Sequence, residues 1–201
     1  VDRDSIFWAG SVSEVFILDY KTDSIYRVID KFPYANIERN LWTYKILENK
    51  NEVIVIHQTN KITIIDKRAE KAYETTAGFF GEDIVDIALS INKKKLFAAT
   101  KTKIYQWDSA YNWKPIVSSK PYLVGGAAIR AIGAINDDIW IISTDNSIIN
   151  LDPISGQCAK TDVLLGKTKL IADPVRVHQS DATTVWLGSR SEGMIKINLA
   201  S

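Results

Sequence analysis

The chain has 201 residues, 46% hydrophobic and 24% charged, proportions ordinary for a soluble globular protein. Its 25 basic and 24 acidic residues leave a formal charge of +1, so it carries no electrostatic footprint for nucleic acid or an anionic membrane. The single cysteine, Cys158, excludes an internal disulfide, and no apolar stretch approaches the ~18 residues of a membrane helix. The residues from Val1 onward contain no basic or apolar leader region, so a signal peptide is expected to be absent or already removed. There is no Asn-x-Ser/Thr acceptor site, which argues against a glycosylated eukaryotic ectodomain.

In chain order, five hairpin-like stretches recur. FWAGSVSEVFILD ends at Asp19, VIVIHQTNKITIID at Asp66, LFAATKTKIYQWD at Asp108, IWIISTDNSIINLD at Asp152 and VWLGSRSEGMIKIN at Asn198, at intervals of 47, 42, 44 and 46 residues. An apolar strand precedes four of them: LWTYKIL from Leu41, IVDIALS from Ile84, IRAIGAI from Ile129 and VRVHQ from Val175. A more polar segment follows, such as SIYRVI from Ser24, KAYETT from Lys71 or WKPIVSS from Trp113. Runs of β-branched residues bounded by Asn, Asp, Ser and Gly are strands joined by tight turns, and the basic run Lys93–Lys95 reads as one solvated turn.

Four short strands per unit at a period of ~40–50 residues is the signature of a β-propeller blade. The predicted fold is an all-β propeller of four-stranded antiparallel blades, in units of approximately 1–33, 34–78, 79–122, 123–165 and 166–201. The first unit lacks a first strand and the last lacks a fourth. The expectation is therefore a segment of a larger, seven-bladed propeller.

Trp8-Ala9-Gly10-Ser11 and Trp186-Leu187-Gly188-Ser189 share the form Trp-x-Gly-Ser. With Ile139-Trp140 and the turn Asp152-Pro153-Ile154-Ser155-Gly156, they resemble the two-component regulator propeller repeat. Units 2 and 3 keep only the strand pattern and closing Asp, with Val55, His57, Phe97 and Ala99 where Trp and Gly stand elsewhere, and unit 4 has Ile142 in place of the Gly. The resemblance implies the periplasmic sensor region of a bacterial hybrid two-component system that detects oligosaccharides. Its implied partners are an oligosaccharide ligand, the rest of the propeller or sensor chain, and a second copy in a homodimer. Neither nucleic acid nor direct membrane insertion is implied, and the location is periplasmic or extracellular.

The residues offer little chemistry. His57 and His178 lie in separate units outside any metal-spaced cluster and read as structural. Gly78–Gly81 and Gly125-Gly126 lack the helix a phosphate cradle needs. No nucleophile elbow or paired-carboxylate motif is present, so no catalytic residue, metal or cofactor is expected. Propeller ligands sit where the inner strands begin. Aligning the inner strands by spacing puts Trp42, Val85, Arg130 and Arg176 in one column, an aromatic plane and two guanidinium forks suited to a sugar and its carboxylate or sulfate. The opposing expectation is that these arginines satisfy carbonyls or pair with Asp86 or Asp173. Tyr34, Arg39, Tyr122 and Arg190 are weaker ligand-binding candidates, and Cys158, Trp107 and Trp113 read as packing. The leading expectation is a non-enzymatic ligand-sensing or interaction propeller. The alternative is a propeller enzyme, a lyase or glycan-active. A scaffold of WD type is disfavoured because no Gly-His signature marks the blades and Trp-Asp occurs only once, at Trp107-Asp108.

Overall fold

A computed structural model describes residues 6–10, 15–19, 21–27, 43–48, 51–57, 61–76, 82–90, 95–107, 113–116, 123–161, 164–165, 169–170 and 172–199. The chain divides into two compact units, Val1–Asp83 and Ile84–Ser201. All elements among the described residues are strands and turns.

In the first unit, β1 (Ile6–Gly10), β2 (Val15–Asp19) and β3 (Ser24–Arg27) form an antiparallel sheet in that order. Next, β4 (Thr43–Glu48), β5 (Glu52–His57), β6 (Lys61–Asp66) and β7 (Lys71–Thr76) form a four-stranded one. Val15 and Ile17 of the first sheet pack on Val53, Val55, Ile65 and Ala72 of the second. Outer strand β3 is exposed, with Ile25 and Tyr26 open to solvent, as an edge strand is expected to be more mixed.

In the second unit, β8 (Asp86–Leu89), β9 (Leu96–Ala99), β10 (Ile104–Trp107) and β11 (Trp113–Pro115) make one four-stranded sheet. β12 (Ile129–Ile135), β13 (Asp138–Ser143), β14 (Ile148–Leu151) and β15 (Cys158–Lys160) make the next. A short hairpin of β16 (Leu164–Leu165) and β17 (Lys169–Leu170), not expected from the sequence pattern, precedes a three-stranded sheet of β18 (Pro174–Gln179), β19 (Thr184–Ser189) and β20 (Gly193–Asn198). First strand β12 lies between β8 and β18, the first strands of its neighbours. The sheets of each unit stand face to face as blades of a β-propeller, numbered 1 to 5 below.

Blade 4 shows why the repeat reads as it does. Ile132, Ala134, Ile139, Ile141, Ile149 and Leu151 pack towards Phe97, Ala99 and Ile104 of blade 3. Ala131, Ile135, Trp140, Ile142 and Ile148 pack towards Val177, Val185 and Leu187 of blade 5. A strand buried on both faces needs apolar residues at every position, so Ile139–Ile142 is a continuous run instead of an alternating one. Ile139, Ile141 and Ile142 are fully buried, each contributing about 2 kcal/mol of hydrophobic burial. Trp140 fills the space between blades. Gly133 permits close approach: a Cβ there would lie 2.6 Å from Val177 Cγ1 and 2.9 Å from the Val177 carbonyl oxygen.

The repeated aspartates are turn caps. Asp19 Oδ1 accepts from the Lys21 amide at 2.9 Å, Asp66 Oδ1 from Arg68 and Ala69 at 2.8 and 2.9 Å, and Asp152 Oδ1 from Ile154 at 2.8 Å. Each turns the chain from the third strand into the fourth, and in the last case Gly156 completes the reversal at φ 70°. Asp108 lies outside the described residues. Between β12 and β13, Asn136 and Asp137 take φ 50° and 72°, both in the left-handed region as a two-residue type I′ hairpin requires.

Candidate functional site

Arg130 sits in a β-bulge of β12, where the register slips between Ile129 and Ala131. The bulge aims its guanidinium out of the pleat towards the start of blade 5. There Arg130 Nη1 donates to Asp173 Oδ1 at 2.9 Å, to the Pro174 carbonyl at 3.0 Å and to Asn146 Oδ1 at 3.1 Å, while Nη2 reaches the Thr144 carbonyl at 3.4 Å. Asp173, at φ 46°, also has Arg190 Nε 4.0 Å from its Oδ2, and its carbonyl accepts the Arg190 amide at 3.2 Å. Two guanidinium groups thus share one carboxylate. The Arg130 side chain is 23% exposed and that of Arg190 is 70% exposed.

Arg176 lies elsewhere. The bulge of β18 falls between Pro174 and Arg176, so Val175 occupies the position of Arg130, and Arg176 that of Ala131. The spacing-based column of Trp42, Val85, Arg130 and Arg176 therefore does not hold at its last two members. The cause is turn length: two residues separate the paired ends Ile135 and Asp138 in blade 4, whereas in blade 5 the turn closes from Ser180 to Thr184. In β18, Val177 and Gln179 are buried and Arg176 and His178 exposed, so Arg176 lies on the sheet face turned away from blade 4. Gly188 stands opposite it, Trp186 is half-buried opposite His178, and Arg176 Nη1 donates to the Val175 carbonyl at 3.1 Å. Val85 is half-buried against the blade 3–4 core. Tyr34, Arg39, Trp42 and Tyr122 lie outside the described residues.

The carboxylates the sequence proposed as arginine partners divide. Asp173 takes that part. Asp86 is fully buried and accepts two backbone amides, Ile87 at 2.9 Å and Ile132 of blade 4 at 3.0 Å. A second cross-blade link joins Asn136 and Gln179: the Asn136 amide donates to Gln179 Oε1 at 2.8 Å and Gln179 Nε2 to Asn136 Oδ1 at 2.7 Å. Sequence reading missed both links, which join residues 46 and 43 positions apart.

The turns bordering this region in blades 3, 4 and 5 are organised by a hydroxyl at the end of the second strand. Thr100 Oγ1 accepts from the Lys103 amide at 3.1 Å, and Ser189 Oγ from the Ser191 and Glu192 amides at 3.1 Å each. The Ser143 hydroxyl bonds Asp145, whose Oδ1 also accepts the Ser147 amide at 3.0 Å. These bonds, the Ser143 hydroxyl first, hold the Asp145 carboxyl below its usual range. Ser189 of Trp-x-Gly-Ser is thus a turn cap, a signal available in the sequence as Thr100, Ser143 and Ser189.

His57, at the corresponding end of β5, is 2% exposed and its Nε2 lies 2.9 Å from Thr63 Oγ1. Among the described residues no three His, Cys, Asp or Glu side chains gather as a metal site. Trp107 and Trp113 stack edge to face, ring centroids 4.8 Å apart.

No family model and no curated protein sequence matches this chain. Solved structures do. A Bacteroides thetaiotaomicron structural-genomics protein of unknown function superposes with TM-score 0.66 at 12% identity, over 92% of this chain and 50% of its own. The extracellular domain of a putative hybrid two-component system from the same organism gives 0.61 at 16%, over 97% and 25%. PorZ, a surface component of the type-IX secretion system of Porphyromonas gingivalis, gives 0.56 at 14%, over 96% and 29%. The chain spans about half the length of the first and a quarter of the second. At such identities the likeness establishes the β-propeller fold.

Proposed function

We propose that this chain is a non-enzymatic, ligand-sensing propeller region of an extracytoplasmic bacterial receptor, and that blade 5 binds an anionic oligosaccharide. The observation that carries this reading is the sharing of Asp173 by Arg130 and Arg190. One carboxylate neutralises one guanidinium, which leaves the more exposed Arg190 with charge to offer, and Arg176 is exposed on the same blade. Guanidinium forks match sugar carboxylates and sulfates bidentately. The two-component extracellular domain and the secretion-system surface protein among the structural neighbours support the sensor reading and the location.

Isothermal titration with carboxylated or sulfated oligosaccharides, and with neutral ones of equal length, tests the reading. Arg176→Ala/Arg190→Ala should weaken the anionic ligands about tenfold or more, the effect of losing charge-assisted bonds. Undiminished affinity in that double variant would overturn it.

A further inference from the structure

A pocket of about 200 Å³ opens beside blade 4, remote in the sequence from the blade 5 arginines. Its walls come from three places: Leu123, Val124 and Ala127 of the segment entering the blade, the Ser143–Ser147 turn, and the edge strand Cys158–Lys160. The entering segment stands clear of the blade because Val124–Ala127 form a turn closed by the Ala127 amide on the Val124 carbonyl at 3.2 Å. Gly125 and Gly126 within that turn take φ 65° and 80°, with open space around both. Ile149 and Cys158 form an apolar floor, and Val124, 75% exposed, an apolar lip.

The polar groups are few and of opposite sign. Asp145 is fixed by the Ser143 hydroxyl and the Ser147 amide and stays a carboxylate at neutral pH. Lys160, also in the lining, adds a smaller electrostatic pull on it. Among the described residues the lining holds no aromatic ring on which a sugar would stack. The space equals roughly seven waters of the liquid, below the ~300–1,000 Å³ of sites for larger ligands.

We propose that this pocket binds a free aliphatic α-amino acid of leucine or valine type. Its ammonium faces Asp145, its carboxylate faces Lys160, and its branched side chain lies on Ile149, Leu123 and Cys158. A peptide N-terminus could satisfy Asp145 but leaves Lys160 without a carboxylate, which favours the free amino acid.

The whole chain has one cysteine, so alkylation of Cys158 by iodoacetamide reports occupancy directly. L-Leucine should slow alkylation saturably, with the same midpoint as in calorimetric titration. Leucine amide and isoamylamine, which lack the carboxylate, and 4-methylpentanoate, which lacks the ammonium, should each bind about tenfold more weakly or worse. Lys160→Ala should reduce leucine binding by a similar factor while leaving isoamylamine unchanged. The analogue series on the unaltered protein decides alone. No saturable protection up to ~10 mM leucine, or equal protection by all four compounds, would overturn the proposal. These outcomes are independent of Arg176 and Arg190, so either binding reading can fail without the other.

Discussion

Gly133→Ala sets two effects of opposite sign against each other. Replacing glycine by alanine in a strand, at a position without positive φ, normally stabilises by about 0.5–1 kcal/mol because the unfolded chain loses freedom. At Gly133 the new Cβ would sit 2.6 Å from Val177 Cγ1 and 2.9 Å from the Val177 carbonyl oxygen. Carbon–carbon contacts are optimal near ~3.5–4.0 Å and carbon–oxygen contacts near ~3.3–3.6 Å, so the first overlap is about 1 Å and the second about half that. Val177 can turn its methyl, but its carbonyl is backbone, so relief requires blades 4 and 5 to separate. Overpacking of this kind costs about 1–3 kcal/mol, and the net expectation is destabilisation of about 1–2 kcal/mol. Gly188→Ala is the control, because a Cβ there meets Arg176 Cβ at an ordinary 3.7 Å and should be neutral or stabilising. Urea unfolding of both variants, with coincident circular dichroism and tryptophan fluorescence transitions as the check on two-state behaviour, measures the contrast. If Gly133→Ala stabilises as much as Gly188→Ala, the close approach of blade 4 to blade 5 is refuted. The contact that brings Arg130 to Asp173 would fall with it.

Asp86→Leu should cost about 1–3 kcal/mol for each of the Ile87 and Ile132 amides it strips of an acceptor, whereas Asp86→Asn, which keeps a carbonyl oxygen, should cost less; equal unfolding midpoints for the two would refute the amide-acceptor role. Asp152→Ala should lower the thermal unfolding midpoint through loss of the Ile154 bond, and an unchanged midpoint would refute the capping role. The turn carboxylates Asp66, Asp145, Asp152 and Asp181 are all held below their ordinary pKa, Asp181 at about 2, its largest cause the Thr183 amide. A depressed folded pKa contributes stability above the unfolded value, about 3.9, and loses it as pH falls through the folded one. Melting temperature should therefore decline as pH drops below about 4 and towards 2, and Asp181→Asn should flatten part of that decline.

The blades were legible because their signal is local and repeated. Strands buried on both faces must be apolar throughout, and each third strand must turn, so Ile139–Ile142 and Asp19, Asp66 and Asp152 recur whatever the rest of the unit does. What joins one blade to the next was not legible. Asp86 to Ile132 and Gln179 to Asn136 are contacts between different side-chain types at each joint, and no repeat encodes them. A buried aspartate in a strand reads in sequence as a candidate partner for arginine. Only the position of the next blade's first strand reveals that it accepts the Ile132 amide.

The candidate site failed to align for a related reason. Arg130 and Arg176 stand equally far ahead of Trp140 and Trp186, and spacing alone makes them equivalent. An extra residue in the blade 5 turn shifts that equivalence by one, the bulge being common to both first strands. In a strand one residue is the difference between opposite faces. Arg130 is consequently committed to the joint between blades, holding Asp173, whereas Arg176 is turned to the far face of blade 5. The proposed ligand-binding reading accordingly rests on Arg176 and Arg190, the second of which the spacing argument ranked below Arg130. Asp173 is the physical basis of that assignment: it engages Arg130 at 2.9 Å and Arg190 only at 4.0 Å, which commits the first to the joint between blades and holds the second loosely.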